Sequence, residues 1–225
     1  MFVRGGGMRR GVLGVTAAVA LLGGAVGCSG GDESGDDAAK AASVAPQKLC
    51  GGAVSTEAGK ALEVITGSAT FEASGKTSTV AYAADELSDG FASSATGDGD
   101  ICRIYTPAGT TDDELRVTWE LSGSSPTDDP ASKFTVLDMG ERALTATDSS
   151  FLRFACRGGK LTGTEPAHID ISVSRGGMPT EPEGNPDALK DAYATVAHSF
   201  SLAMAKELGC EDDGGLEATP SLDPA

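Results

Sequence analysis

The sequence predicts an α+β domain in which an antiparallel sheet packs with a long C-terminal helix and a shorter N-terminal helix, closed by two disulfides. Three observations carry this. Leu115–Leu121 and Ile169–Ser174 alternate strictly between apolar and polar residues, the pattern of strands with one buried and one solvated face. Residues 186–209 and 56–66 instead repeat their apolar residues at helical spacing. Long helices at the ends of a strand-rich middle belong to the α+β class. Four cysteines, Cys50, Cys102, Cys156 and Cys210, are spread evenly through the same region.

The chain opens with Arg4, Arg9 and Arg10, followed by an apolar run from Gly11 to Gly27 and then Cys28. A basic segment, a short apolar segment and small residues before a cleavage point make a signal peptide over residues 1–27. The run has 17 residues and is rich in glycine, whereas a bilayer core needs roughly 20 strongly apolar ones. Arg9-Arg10 touches the twin-arginine pattern without its phenylalanine, so the export route stays open. Met8 serves as a start as well as Met1, since the basic segment survives without the first seven residues.

Ala25-Val26-Gly27-Cys28 has the form of a lipobox, with Ala25 where leucine is usual. An ordinary signal peptidase accepts the same residues, so free secretion is the alternative to lipidation. Parity decides. Five cysteines in an exported chain leave one over, and acylation of Cys28 consumes it. The expected location is therefore the extracytoplasmic face of the plasma membrane, held by an acyl anchor.

Residues 28–45 read as the lipidated cysteine and a disordered tether, because Gly, Ser, Ala and Asp leave almost nothing to bury. As a coil the tether spans on the order of 25 Å. Residues 46–210 form a single domain. In it Ser55 caps a first helix that carries Ala58, Ala61, Leu62 and Ile65 on one face and stops at Gly67. A second helix is expected from Val80 to Leu87. Further strands fall at Ile101–Tyr105, Phe134–Leu137 and Phe151–Arg157. The last helix has Asn185 as cap, Pro186 at its first position and Gly209 just beyond its end. Its apolar residues are Leu189, Tyr193, Val196, Phe200, Ala203 or Met204, and Leu208. Residues 211–225, acidic with Gly and Pro, are expected to fray as a disordered tail.

Removing residues 1–27 leaves 14 basic and 33 acidic residues, net −19. Nucleic acid and anionic lipid surfaces would repel such a chain. Its expected partners are the membrane, through the anchor, and an envelope protein or a small ligand.

The cysteines are separated by 52, 54 and 54 residues, with no CxxC and no histidine pair nearby, so zinc is not expected. Export makes disulfides the default. Four cysteines allow three connectivities and the spacing does not choose among them. Cys50–Cys102 with Cys156–Cys210 is the pairing expected here, because each bridge then ties a helix-bearing segment to a neighbouring strand. Closing a loop of about 50 residues contributes roughly 4 kcal/mol in the chain-entropy model.

The lipobox, the acidic linker, Leu49-Cys50-Gly51, Ile101-Cys102-Arg103 and Lys206-Glu207-Leu208-Gly209-Cys210 together resemble small actinobacterial cell-envelope lipoproteins, a group without an assigned activity. The resemblance spans most of the mature chain as a layout. It implies an envelope location and structural disulfides, and no chemistry.

Candidate chemistry is sparse. The histidines are His168, before the strand containing Asp170, and His198, on the flank of the last helix beside Ser199. Both are expected to be ordinary surface or boundary imidazoles. No Gly-x-Ser-x-Gly elbow marks a nucleophile. Gly75-Lys76-Thr77 ends like a P-loop, but Thr70 stands where the pattern needs its first glycine. Gly97-Asp98-Gly99-Asp100 suggests a calcium loop, yet the twelfth position is Gly109 instead of glutamate, so a solvated loop is expected. Asp112-Asp113 and Asp128-Asp129 are too local to face each other as glycosidase carboxylates. Trp119 lies on the apolar side of its strand, where core packing is expected. The expectation is a non-catalytic envelope lipoprotein without cofactor or metal that binds a protein partner or small ligand. The alternative is a hydrolase using His168 or His198 with a carboxylate.

Overall fold

The computed structural model describes residues 43–94, 96–107, 114–123, 129–176 and 183–225. The signal segment, Cys28 and the tether as far as residue 42 lie outside them, as do Gly109, Asp112, Asp113 and Asp128. In chain order the elements are β1 (Ser43–Val44), a 3-10 turn (Pro46–Gly51), α1 (Thr56–Thr66), β2 (Phe71–Glu72), α2 (Val80–Ser93), β3 (Gly97–Ile104) and β4 (Leu115–Ser122). They continue with β5 (Thr135–Leu137), β6 (Arg142–Thr145), β7 (Ser149–Cys156), β8 (Ala167–Arg175) and α3 (Pro186–Leu208).

The helix ends follow from capping chemistry. Ser55 Oγ accepts from Ala58 N at 3.0 Å and opens α1, and Gly67 closes it in the left-handed region. Asn185 Oδ1 accepts from both Asp187 N and Ala188 N at 3.0 Å. Each bond satisfies an amide that the first helical turn leaves unpaired. Gly209, at φ 70°, ends α3. Helix α2 runs to Ser93, beyond the expected end at Leu87. Phe91 continues the apolar face one turn past Leu87 and packs on the core.

Six strands form an antiparallel sheet in the order β3-β4-β8-β7-β6-β5. Its inner face carries Leu115, Val117, Trp119 and Leu121 of β4, Ile169, Ile171 and Val173 of β8, and Leu152 and Phe154 of β7, all buried. Helix α2 packs on β3 and β4, α3 on β6, β7 and β8, and α1 on α3. Alanines at 192, 194, 197 and 205 let neighbouring elements approach α3 closely, while Tyr193, Phe200 and Met204 fill the space between helix and sheet. Each such buried large side chain contributes about 1.5–3 kcal/mol.

Both disulfides have the expected pairing. Cys50–Cys102 joins the 3-10 turn to β3 with Cα atoms 5.7 Å apart, and Cys156–Cys210 joins β7 to the residue beyond α3 at 5.0 Å.

Three segments depart from expectation. Ser43–Val44, assigned to the tether, pair with β2 as β1, because Val44 has an apolar side chain to set against the core. Gly97–Asp100, expected as a solvated loop, is the first half of β3. Its alternate residues Gly97 and Gly99 lie beneath the Trp119 ring, and a Cβ at Gly99 would fall 2.7 Å from Nε1 of that ring. The glycines are therefore a seat for Trp119.

The tail does not fray. Leu216 is buried and Leu222 packs on the core. Glu211 N donates to Arg157 O at 2.9 Å, and Ala225 N donates to Val136 O at 3.1 Å. Two leucines and these backbone bonds outweigh the acidic composition and bring residues 224–225 against the edge of β5.

Candidate functional site

The sequence singled out two histidines, and the structure separates them. His198 is buried in α3, with 4 % of its surface exposed, so its placement as a surface or boundary imidazole is corrected. Nε2 lies 2.9 Å from Glu217 O. A carbonyl only accepts, so Nε2 carries the proton. Burial lowers the imidazole below its ordinary value, opposed by this hydrogen bond and assisted by Lys206. Its neighbour Ser199 donates to Ala53 O at 2.7 Å and accepts from Ser55 N at 2.9 Å. Both hydrogen bonds join α3 to the segment leading into α1. A cavity of about 250 Å³ adjoins this pair, but neither side chain meets a carboxylate.

His168 belongs to the outer face of the sheet, turned away from the helices. Antiparallel register places its side chains in rows across the strands. One row runs Arg142, Arg153, Asp170, Glu120 and Asp98 from β6 to β3. The next sets Ala155 against His168 and Ser122. In the first row, Arg153 and Asp170 are almost wholly covered, at 4 % and 3 % side-chain exposure. Arg153 Nε and Nη2 each donate to Asp170 at 2.5 Å. Ser122 Oγ donates to Asp170 Oδ2 at 2.5 Å and accepts from Arg153 Nη2 at 3.0 Å. The hydrogen bond to Asp170 raises the Arg153 guanidinium above its ordinary value, against the opposing effect of burial. Such a planar two-bond pair is the strong form of ion pair.

His168 Nδ1 lies 2.7 Å from Glu141 Oε2. The carboxylate accepts, so Nδ1 holds a proton, and in the neutral ring Nε2 is left as an acceptor. A cavity of about 500 Å³ lined by Phe91, Ser122, Thr164 and His168 adjoins it. The histidine–carboxylate contact that a hydrolase needs is thus present. A nucleophile is not poised with it, since Ser122 directs its proton to Asp170 and not to an imidazole.

The third row is of a different kind. Val136, Leu144 and Phe151 stand in register on β5, β6 and β7, continued by Ser172 of β8, Thr118 of β4 and Asp100 of β3. Leu144 and Phe151 of this row border a cavity of about 480 Å³ lined also by Phe134, Ser149, Ser172 and Ser174, and Val136 continues the row outside the lining. Arg142 and Asp129 complete the charged part of the lining. Lys133 Nζ sits 5.0 Å from the centre of the Phe134 ring and Arg153 Cζ 5.8 Å from that of Phe151. Both aromatic walls are thereby fixed from one side by a cation. Sequence reasoning missed this cavity. The available signal was Phe151-Leu152, two adjacent apolar residues that break alternation in β7 and so load both faces of the sheet.

The remaining candidates have structural roles. Gly75-Lys76-Thr77 forms a turn that precedes α2, with Thr79 between them as the helix cap, so no glycine-rich loop leads into the helix. Asp100 binds Arg103 at 3.1 Å and Arg116 at 2.6 Å. Among the described residues no group of three or more His, Cys, Asp or Glu side chains is placed to hold a metal ion, and no helix is long and apolar enough to cross a membrane.

The fold and this face define a class: a disulfide-stapled α+β domain with helices on one side of its sheet and an apolar cavity on the other. No protein-family model, curated protein or solved structure matches the chain.

Proposed function

We propose that the protein is a membrane-anchored extracytoplasmic lipoprotein that binds a small apolar ligand on the outer face of its sheet without catalysis. The observation that carries the binding reading is the cavity of about 480 Å³ walled by Phe134, Leu144 and Phe151. Ligand sites are typically hollows of roughly 300–1,000 Å³ with mainly apolar walls and a few polar groups. The anchor rests on Ala25-Val26-Gly27-Cys28 and on the pairing of the four other cysteines, which leaves Cys28 for an acyl group. The small actinobacterial cell-envelope lipoproteins that the layout resembles are consistent with that address.

The test has two arms. Growth with labelled palmitate should mark the wild-type chain and leave Cys28→Ser unmarked; an unmodified Cys28 in the mature protein overturns the anchor. Titration of the Cys28→Ser chain with the neutral dye Nile red should saturate at one dye per chain and weaken in Leu144→Gln. Dye binding that is absent, or unchanged by Leu144→Gln, overturns the ligand site.

One observation favours a second reading. The His168–Glu141 contact of 2.7 Å beside a cavity is the pair a hydrolase would use as its base. Ester or amide turnover abolished by His168→Ala would establish it, and turnover unaffected by that substitution would remove it.

A further inference from the structure

The apolar row and its surroundings specify the ligand more closely than a hollow alone. Val136, Leu144 and Phe151 occupy three successive strands in one register line, so the track is straight and runs across the strands for roughly 10 Å at the usual strand spacing. It ends at hydroxyls. Ser172 is the next residue in the line, and the cross-strand pair Ser149 and Ser174 lies beside it. Ser149 donates to Asp148 at 2.7 Å, and a hydroxyl that donates retains acceptor capacity. At the other end the Val136 side chain is 37 % exposed, so the track is open to solvent there.

The charges around the track come in opposite pairs. Arg142 and Asp129 both line the cavity. Behind its walls Lys133 binds Asp148 at 3.0 Å and Arg153 binds Asp170 at 2.5 Å. A charged headgroup would meet one attracting and one repelling group in the same lining, and its desolvation would go uncompensated. The chain as a whole, at net −16, repels anions at longer range. A chain-like apolar body, a hydroxyl-bearing end and no net charge are what this surface complements.

We infer that the cavity binds an uncharged single-chain amphiphile of the monoacylglycerol type, its aliphatic chain along Phe151 and Leu144 and continuing out of the cavity over the exposed Val136, its hydroxyl head at Ser149, Ser172 and Ser174. This rests on the ligand-binding reading above and names the class of ligand. A linear chain fills the register line, whereas a compact ring system would leave Val136 uncovered. The serine cluster supplies neutral donors and acceptors to a glycerol head.

The test uses the Cys28→Ser chain, which cannot be acylated and is handled without detergent. Three amphiphiles with the same twelve-carbon chain compete against Nile red: monododecanoylglycerol, dodecanoate and dodecylammonium. The glycerol ester should displace the dye at one molecule per chain, about tenfold more tightly than either charged probe. Val136→Asp, at an already exposed position that keeps the fold, should weaken the glycerol ester severalfold. Ser172→Ala should narrow the preference for the glycerol head while leaving dye binding intact. Equal affinity for all three probes, or tighter binding of a charged one, overturns the assignment of an uncharged head and leaves the apolar site standing. Failure of Nile red itself to bind overturns the site and this assignment together.

Discussion

The two faces of the sheet are built from the same strands, yet they use their side chains differently. On the inner face Leu152 and Phe154 of β7 are fully buried beneath α3, and only shape matters there. On the outer face the alternate residues Phe151 and Arg153 face away from the helices. Phe151 stays half-buried at a cavity wall, while Arg153 is covered and meets Asp170 and Ser122. The contrast shows that burial and stabilisation are separate matters. An apolar side chain stabilises in proportion to the area it hides. A buried ion pair instead roughly breaks even against an apolar pair, and becomes costly only when one partner is lost.

Breaking that pair is the strongest way to test the difference. Asp170→Ala leaves a covered guanidinium without its carboxylate and should cost about 3–5 kcal/mol in urea unfolding. The double variant Arg153→Met with Asp170→Leu should lose less than the single one; an equal or larger loss would mean that the pair itself is a net source of stability. Next comes the phenylalanine comparison. Phe154→Ala empties the inner core and should cost about 3–5 kcal/mol. Phe151→Ala, half-buried, should cost well under half as much and weaken Nile red binding instead. Comparable losses would erase the distinction between core and cavity wall.

A smaller effect concerns pH. His198 has a lowered imidazole value in the folded protein because burial disfavours its charge. The unfolded chain takes up that proton near pH 6.5, so below this pH the unfolded state binds more protons and is favoured. Stability from His198 is complete above that pH and declines as pH falls below it. Thermal unfolding should track this with a falling midpoint, at roughly 2–4 °C for each kcal/mol, and His198→Gln should flatten the slope. A slope that His198→Gln leaves unchanged would place the ring in water. Smallest is Lys133→Ala, which removes an exposed pair with Asp148 and should change stability by at most about 1 kcal/mol.

Much of the inner architecture was legible in the sequence because it rests on local rules. Asn185-Pro186 and Gly209 mark the ends of α3, and alternation marks β4 and β8. The disulfide pairing follows the expected one. What local rules could not show is how distant segments meet. Strand β6 spans only four residues, too short for an alternation signal. The apolar row takes one residue from each of three strands, and only Phe151, beside Leu152, stands out in its own segment. The tail reads as polar because Leu216 and Leu222 are few, although they are enough once a surface is waiting for them. His198 was misplaced for the same reason, since the segment that buries it was itself expected to be loose.

That segment has one more consequence. By bonding to Val136, residues 224–225 occupy the open side of β5. At the opposite end of the sheet, β3 carries a register break between Asp100 and Cys102 and outward aspartates at 98 and 100. A sheet that ends in an occupied edge on one side and a bent, acidic edge on the other is a poor template for another strand. Molecules crowded side by side would keep their sheets closed to recruitment at both edges.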